Sequence, residues 1–406
     1  MLLSVEEARA EVLSRSRPLP SRARPLADAY GCVLAEDVTS DLDVPPFDKA
    51  LVDGYALASS DAQAGVRRYR VIEEVMAGRC PSLPLGPGET TLVMTGAPLP
   101  EGADAVVMHE KVQRDGTSVE IEPEDVAPGR NRLLRGRELR TGERVLTAGV
   151  RLEPAHLGVL ATVGRDPVVV VPTPEVTVLP TGDELVEPCS VPGPGQIRNS
   201  NGVLLAGLVR ATGCSAQVLA TAPDEPQTLR ARLQEGLQRD VLLITGGVSA
   251  GKLDLVPQVL AELGVERVFH KIRLKPGKPL WFGVGPPRGD SPGSLVFGLP
   301  GNPVSGLVGF LLFVRPALRL LSGVDSVESG EVVAQLAQPF THRGDRPTYH
   351  PAVLHRDGSG PKIAEPLNWA GSADLLTVAR SDGFLIFPAG DRVHDAGEIV
   401  GFLPLR

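Results

Sequence analysis

Residues Asp240–Asp254 read DVLLITGGVSAGKLD. The first half, Val241–Ile244, is a continuous apolar run, the pattern of a strand covered on both faces in a parallel sheet. The second half is a Gly-rich turn carrying Ser249, Lys252 and Asp254. A buried strand feeding such a turn lets backbone N–H groups approach an anion closely. Gly246, Gly251 and Lys252 have the spacing of a Walker A loop, but Leu253 stands where that loop needs a hydroxyl for Mg²⁺. The NTPase reading therefore falls, and Gly246, Gly247 and Ser249 are read as a cup for another kind of anion.

Downstream, HKIRLKPGKPL places Lys271, Arg273, Lys275 and Lys278 at a predicted strand end. Alternation puts Lys271, Arg273 and Lys275 on one face of an extended strand, where three like charges favour an anionic ligand. LPGNPVS (Leu299–Ser305) is a strand-to-helix turn, with Pro303 suited to the first helical turn. Acids follow the other strands: Asp183 and Glu184 after Thr181-Gly182, Asp224 after Ala222, and Asp254 after the opening turn. Ligands of open α/β sheets bind at such carboxyl ends. Carboxylates beside a basic segment suit a divalent metal bridging a phosphate, and the lack of a His/Cys cluster favours Mg²⁺ over zinc.

Around this centre the pattern alternates. Ser200–Thr212 reads as a helix capped by Ser200, followed by strand Ala216–Ala222 and helices Glu225–Gly236 and Leu255–Leu263. Strands Val268–Arg273, Leu280–Val284 and Leu295–Leu299 precede the long apolar helix Val304–Leu321. Strand–helix alternation predicts a doubly wound parallel sheet with right-handed crossovers. Before it, Tyr69–Val150 holds short Val/Ile/Leu runs separated by Gly/Pro turns, the signature of an all-β module. Beyond Glu328 short β segments return. Ser4–Ser16 reads as a helix with Ser4 as cap and acids in its first turn.

The whole chain, 406 residues with 42% hydrophobic and 22% charged residues, is that of a multidomain globular protein. A net charge of −8 argues against a nucleic-acid footprint. The four scattered cysteines predict reduced thiols. No signal peptide is read at the N-terminus, and the apolar run Gly306–Val314 is too short to span a bilayer. A cytoplasmic protein with no membrane association is expected.

Taken together, the motifs resemble the molybdopterin molybdenumtransferase family. Those that carry the resemblance are PPFDKALVDGYA (Pro45–Ala56), MTGAPLPEGADAVV (Met94–Val107), LPTGDEL (Leu179–Leu185), TGGVSAGKLD (Thr245–Asp254), KPGKP (Lys275–Pro279) and LPGNPVS. They span nearly the whole chain in the family's order. The resemblance implies an α/β multidomain protein: an elongated domain (1–44 and 146–173), an inserted β domain (45–145), a doubly wound molybdopterin-binding domain (174–327) and a C-terminal β barrel (328–406). It implies molybdate insertion into adenylylated molybdopterin, with hydrolysis of the adenylyl bond to give molybdenum cofactor and AMP, and Mg²⁺ as cofactor.

Carried over by motif, Glu184, Asp224 and Asp254 would serve the metal and the adenylyl phosphate. Gly246, Gly247 and Ser249 would hold the pterin phosphate, and Lys271, Lys275 and Lys278 the oxyanions, molybdate included. Pro300 and Pro303 would shape the pocket wall, with Arg346 and Ser372 contributed by the last domain. A homodimer is implied in which Asp53 and Thr95 reach across to the other subunit. A molybdopterin adenylyltransferase and molybdoenzyme maturation proteins are the other implied partners. Three positions depart from the family pattern: Arg198-Asn199 where an aromatic–acid pair is usual, Lys252 where Glu is common, and Ala50 where Ser is frequent. None is a proposed catalytic carboxylate. The rival functions are a molybdopterin-binding scaffold without turnover, a molybdopterin adenylyltransferase, and a structural or interaction protein using its β domains.

Overall fold

A computed structural model describes residues 2–248, 255–289, 292–324, 330–356 and 362–405. The chain forms two compact units: residues 1–35, 149–153 and 167–406 make one, residues 36–148 and 154–166 the other.

The larger unit is built on a six-stranded sheet. Helix α1 (Val5–Arg15) carries a capping box, with the Ser4 hydroxyl accepting from Glu7 N and the Glu7 carboxylate accepting from Ser4 N. Strand β1 (Glu175–Pro180) is followed by α2 (Ser200–Ala211), β2 (Ser215–Val218), α3 (Pro226–Gly236) and β3 (Val241–Thr245). Then come α4 (Leu255–Glu262), β4 (Glu266–His270), β5 (Trp281–Val284), β6 (Leu295–Leu299) and α5 (Pro303–Leu321). The strand order is β2-β1-β3-β6-β5-β4. The first four strands pair in parallel. β5 runs antiparallel to both β6 and β4, so the parallel sheet carries antiparallel pairs at one edge. The cause is connection length: residues 271–280 and 285–294 are too short for crossovers that return a strand in parallel.

The apolar run of β3 is buried throughout, and alternation divides it between two cores. Val241 and Leu243 join α1, α2 and α5, through Val12, Leu205, Val209 and Phe313. Leu242 and Ile244 join α3 and α4, through Leu229, Leu233, Val256 and Leu260. Each such side chain contributes about 1.5–3 kcal/mol of burial, so β3 anchors both layers at once. Helices on both faces of the sheet make it doubly wound.

In α5 the segment Phe310–Val314 is π-helical. This helix is long and apolar enough to cross a membrane by length and composition alone, more so than the sequence reading expects. However, 83% of its most apolar window is buried inside the protein, which makes it a core helix. The end of the chain closes a five-stranded barrel from Val332–Leu336, Lys362–Pro366, Thr348–Arg356, Gly383–Phe387 and Ile399–Pro404. Leu336, Leu385, Phe387 and Phe402 fill its interior, while Phe384 and Leu403 belong to the α5 core.

The smaller unit holds a six-stranded sheet in the order Ala105–Met108, Gly54–Leu57, Glu89–Val93, Arg68–Val75, Ser118–Glu120, Gln113–Asp115. It explains one glycine of the VDGYA turn: a Cβ on Gly54 would lie 2.1 Å from Val107 O, so only glycine permits that strand pair.

Candidate active site

At the carboxyl ends of β1, β3 and β6 lies a cavity of about 680 Å³. Thr181, Thr245, Gly246, Gly247 and Pro300 line it, together with Glu184 and the start of α2. Gly246 has φ +90° and Gly247 φ +61°, so the backbone leaves β3 through two left-handed residues. Val248 is buried directly behind them. Gly246 N is taken, donating to Leu299 O at 3.3 Å, so an anion at this strand end would be received from Gly247 onward. Ser249, Asp254 and Lys252 lie outside the described residues.

Glu184 folds back over the turn: a Cβ on Gly182 would meet its carboxylate at 2.3 Å. Asp224 and Asp183 sit beside each other, with Asp224 N donating to Asp183 Oδ1 at 3.0 Å. Glu184, Asp183 and Asp224 are exposed at these strand ends. Among the described residues no three His, Cys, Asp or Glu side chains form a metal-holding group.

A second cavity, about 320 Å³, adjoins the first and shares Pro279, Pro300 and Asn302 with it. Its walls bring together Lys275, Lys278, Ser305, Arg346 and Ser372. The barrel contributes through short tethers: Arg346 Nη1 donates to Leu274 O at 3.1 Å, and Val304 N donates to Ser372 O at 3.1 Å. Lys271 is not among the described residues lining either cavity. It has φ +68°, so the alternation expected from Lys271 through Lys275 is broken at its first residue. Arg273 turns to Asp345 O at 2.8 Å. The shared basic face of a straight strand is thus replaced by a turn, yet Lys275 and Lys278 still meet in one pocket.

Three asparagines do work the sequence reading leaves unassigned. Asn201 Nδ2 donates to Thr245 Oγ1 at 2.8 Å and to Gly301 O at 2.7 Å, tying the β3 turn to the turn after β6. Asn302 Nδ2 donates to Ser372 Oγ at 2.9 Å. Asn302 also stands at the N-cap of α5 without making a cap bond there. Beyond Pro303 the first N–H groups of α5 are met by backbone instead: Val304 N donates to Ser372 O and Gly306 N to Asn302 O, each at 3.1 Å. Asn199, rather than Ser200, caps α2 by accepting from Gly202 N at 2.9 Å. The only sequence signal for these was composition, since Asn beside a helix start reads as an ordinary cap.

In the smaller unit, Asp53 Oδ1 accepts from Thr95 N at 2.6 Å and Thr95 Oγ1 at 2.7 Å. These two bonds hold the Asp53 carboxyl below the usual aspartate value, with a smaller contribution from nearby His109. Both Asp53 and Thr95 are exposed, so a carboxylate fixed by two donors is presented to solvent. VDGYA and MTGAP, separate in sequence, form one constellation.

The chain matches three family models in succession: the MoeA N-terminal region (domains I and II) over residues 3–164, the probable molybdopterin binding domain over 177–320, and the MoeA C-terminal region (domain IV) over 323–405. It is 31% identical over 407 residues to the molybdopterin molybdenumtransferase of Staphylococcus aureus (strain Mu50 / ATCC 700699), covering 99% of this chain and 95% of the relative. The chain belongs to the molybdopterin molybdenumtransferase family. A second member, from Bacillus subtilis (strain 168), is 33% identical over 389 residues, covering 94% of this chain and 89% of its own. The crystal structure of the molybdopterin biosynthesis MoeA protein from Pyrococcus horikosii superposes with a TM-score of 0.78 at 33% identity, covering all of both chains. Apart from Ala373, the residues lining the strand-end cavity lie inside the segment that matches the molybdopterin binding domain, and Ala373, Arg346 and Ser372 lie inside the C-terminal one.

Proposed function

We propose that this protein is a molybdenum insertase, which takes adenylylated molybdopterin and molybdate, hydrolyses the adenylyl bond, and releases molybdenum cofactor and AMP. The observation that carries the reading is the adjoining pair of cavities, one floored by a glycine turn and one walled by Lys275, Lys278 and Arg346. A phosphate placed at the Gly246-Gly247 turn holds the pterin, with Ser249 proposed as a further donor to it. The two lysines and the Arg346 guanidinium hold a tetrahedral oxyanion next to it, with Ser305 and Ser372 as hydroxyl donors. Pro300 and Pro303 keep the wall between the two substrates rigid. Binding both in neighbouring pockets converts a bimolecular encounter into a positioned one.

Mg²⁺ is part of this proposal. Glu184 and Asp224 fit it as donors, because Mg²⁺ is ordinarily held by one or two carboxylates together with substrate phosphates and water. Asp254 is the third carboxylate proposed for it. When bound, the ion would neutralise charge on the adenylyl phosphate oxygens. The residues' own part is separate: Glu184, lying on the cavity wall, orients water or accepts its proton.

A homodimer is proposed as the working form, with Asp53 and Thr95 of one copy completing the site of the other. What supports this is the family resemblance and the exposed, pre-fixed Asp53 carboxylate. We also propose the four-domain division given by the resemblance, a cytoplasmic location, and exchange of cofactor with an adenylyltransferase and maturation proteins. AMP release from adenylylated molybdopterin in the presence of molybdate and Mg²⁺ tests the central reading. No AMP from the intact protein rejects turnover and leaves a scaffold. Pyrophosphate release from metal-free molybdopterin and ATP identifies an adenylyltransferase instead.

A further inference from the structure

The C-terminal barrel borders a further cavity of about 300 Å³. It shares Lys275, Trp369 and Gly371 with the oxyanion pocket. It shares no lining residue with the glycine-turn cavity, so the oxyanion pocket lies between the two. Three aromatic rings wall it, those of Phe340, His350 and Trp369. His350 is T-shaped to both of the others, with ring centroids 4.7 Å from Phe340 and 5.5 Å from Trp369. The walls are fixed from behind: Phe340 stacks on Phe387 at 4.2 Å, and His350 Nε2 donates to Leu367 O at 2.9 Å.

The polar groups are as specific as the rings. His342 Nδ1 is 2.7 Å from Gly390 O, and its Nε2 is 2.7 Å from Thr348 Oγ1. A carbonyl only accepts, so the neutral His342 ring keeps its proton on Nδ1 and accepts from the Thr348 hydroxyl at Nε2. Thr348 Oγ1 is thereby left as an acceptor in the cavity wall, on a residue only 4% exposed. Arg343 supplies donors at the rim, and among the described residues its guanidinium makes no hydrogen bond or ion pair. No acid is among the described lining residues, which sets aside a cationic ligand. A fixed acceptor and a guanidinium beside an aromatic corner suit a planar ring bearing both N–H and oxo groups. The volume, at the small end for ligand sites, suits one bicyclic ring rather than a whole nucleotide.

We propose that this cavity holds the pterin ring of the substrate. The proposal rests on the insertase reading, and the order of groups in molybdopterin matches the order of the cavities. The phosphate arm is at one end of that molecule, the dithiolene on the middle ring, and the pterin at the other end. With the phosphate at the Gly246-Gly247 turn, the dithiolene sulfurs lie beside the oxyanion held by Lys275 and Lys278. The pterin then continues into the next cavity along. There it lies against Phe340 and Trp369, with its N–H edge toward Thr348 Oγ1 and its oxo group toward Arg343.

The test is fluorescence anisotropy of 6-hydroxymethylpterin titrated with the full-length protein, because this probe has the ring but neither phosphate nor dithiolene. Saturable binding is expected, which adenosine does not displace. Thr341 and Arg343 are exposed residues of the cavity wall, so variants there leave the barrel core untouched. Thr341→Trp should block the cavity and Arg343→Gln should remove its donors, each weakening the probe at least about tenfold. In turnover of adenylylated molybdopterin the same variants should raise KM by a similar factor and leave kcat within about threefold. The ring is bound alike in the ground and transition states, so its loss falls on KM. Far-ultraviolet circular dichroism checks that both variants are folded. Three results overturn the proposal: no saturable binding to the parent, displacement by adenosine, or parental probe affinity and KM in both folded variants. The insertase reading fails separately, when a parent that binds the probe releases no AMP; the pterin site then stands on the probe and its variants.

Discussion

Replacing Gly246 by alanine isolates the turn on which the active-site reading rests. At this residue φ is +90°, and an added Cβ would lie 2.4 Å from Thr181 O and 3.0 Å from Thr181 Oγ1. Thr181 has little freedom to retreat, because its N–H is bonded to Thr245 O at 2.9 Å and Gly182 N to Ala222 O at 3.1 Å. Left-handed backbone costs an alanine about 1–2 kcal/mol, and overpacking against a fixed group about 1–3 kcal/mol. Restriction of the unfolded chain offsets about 0.4–1 kcal/mol. The net loss is about 1–5 kcal/mol, unless the turn itself moves. If it moves, the N–H groups leave the anion, and one charge-assisted hydrogen bond, about 1.5–3 kcal/mol, lowers pterin affinity roughly tenfold to a hundredfold. Urea unfolding followed by tryptophan fluorescence reads the first outcome, since Trp281 and Trp369 both lie in the larger unit. Calorimetry with metal-free molybdopterin reads the second. Gly301→Ala is the matched control: its nearest neighbour would be Gly246 Cα at an ordinary 3.8 Å, so it should be tolerated. Parental urea midpoint and parental pterin affinity in Gly246→Ala would refute the reasoning.

Asp53→Asn should leave folding unchanged and lower AMP release at least about a hundredfold; turnover within a few-fold of the parent removes Asp53 from the machinery. Because Thr95 holds the Asp53 pKa below the ordinary 3.8, any acid limb of activity due to this residue lies below that value, and Thr95→Ala should move it upward. His350, whose pKa is lowered from 6.5 chiefly by burial, binds a proton less readily in the folded chain than in the unfolded one. Stability should therefore fall as pH drops below about 6.5, and His350→Gln should flatten the slope of Tm against pH in that range. Lys275→Ala with Lys278→Ala should weaken molybdate binding about tenfold or more in equilibrium dialysis; an unchanged constant assigns the oxyanion elsewhere. Phe402→Ala, emptying a fully buried position in the barrel, should cost about 3–5 kcal/mol of unfolding free energy, and a loss under 1 kcal/mol would contradict that packing.

Much of this architecture is legible in residue patterns. Val241–Ile244 announces a strand covered on both faces, and the structure divides its side chains between two cores as such a strand requires. The direction of β5 is hidden from composition, although the short connections on either side carry it. The basic cluster is visible as Lys275, Lys278 and Arg346, but the left-handed Lys271 cannot be read from a residue type that ordinarily avoids that conformation. The roles of Asn201 and Asn302 are hidden for a different reason. Their partners are Thr245, Gly301 and Ser372, and only the tertiary fold brings those near. Asp53 and Thr95 are joined by pairing across the small unit's sheet, which turn chemistry alone does not reveal.

Helix α1 packs its narrow stripe of Val5, Ala8 and Val12 into the same core as Phe310, Phe313 and Leu403. During synthesis that stripe emerges about 300 residues before α5, which at about 5–20 residues per second is a wait of roughly 15–60 s. The stripe is made of small side chains, on a helix whose other positions include Glu6, Glu7, Arg9, Glu11 and Arg15. This segment is thus polar enough to stay in water until the partner that completes its core has been made.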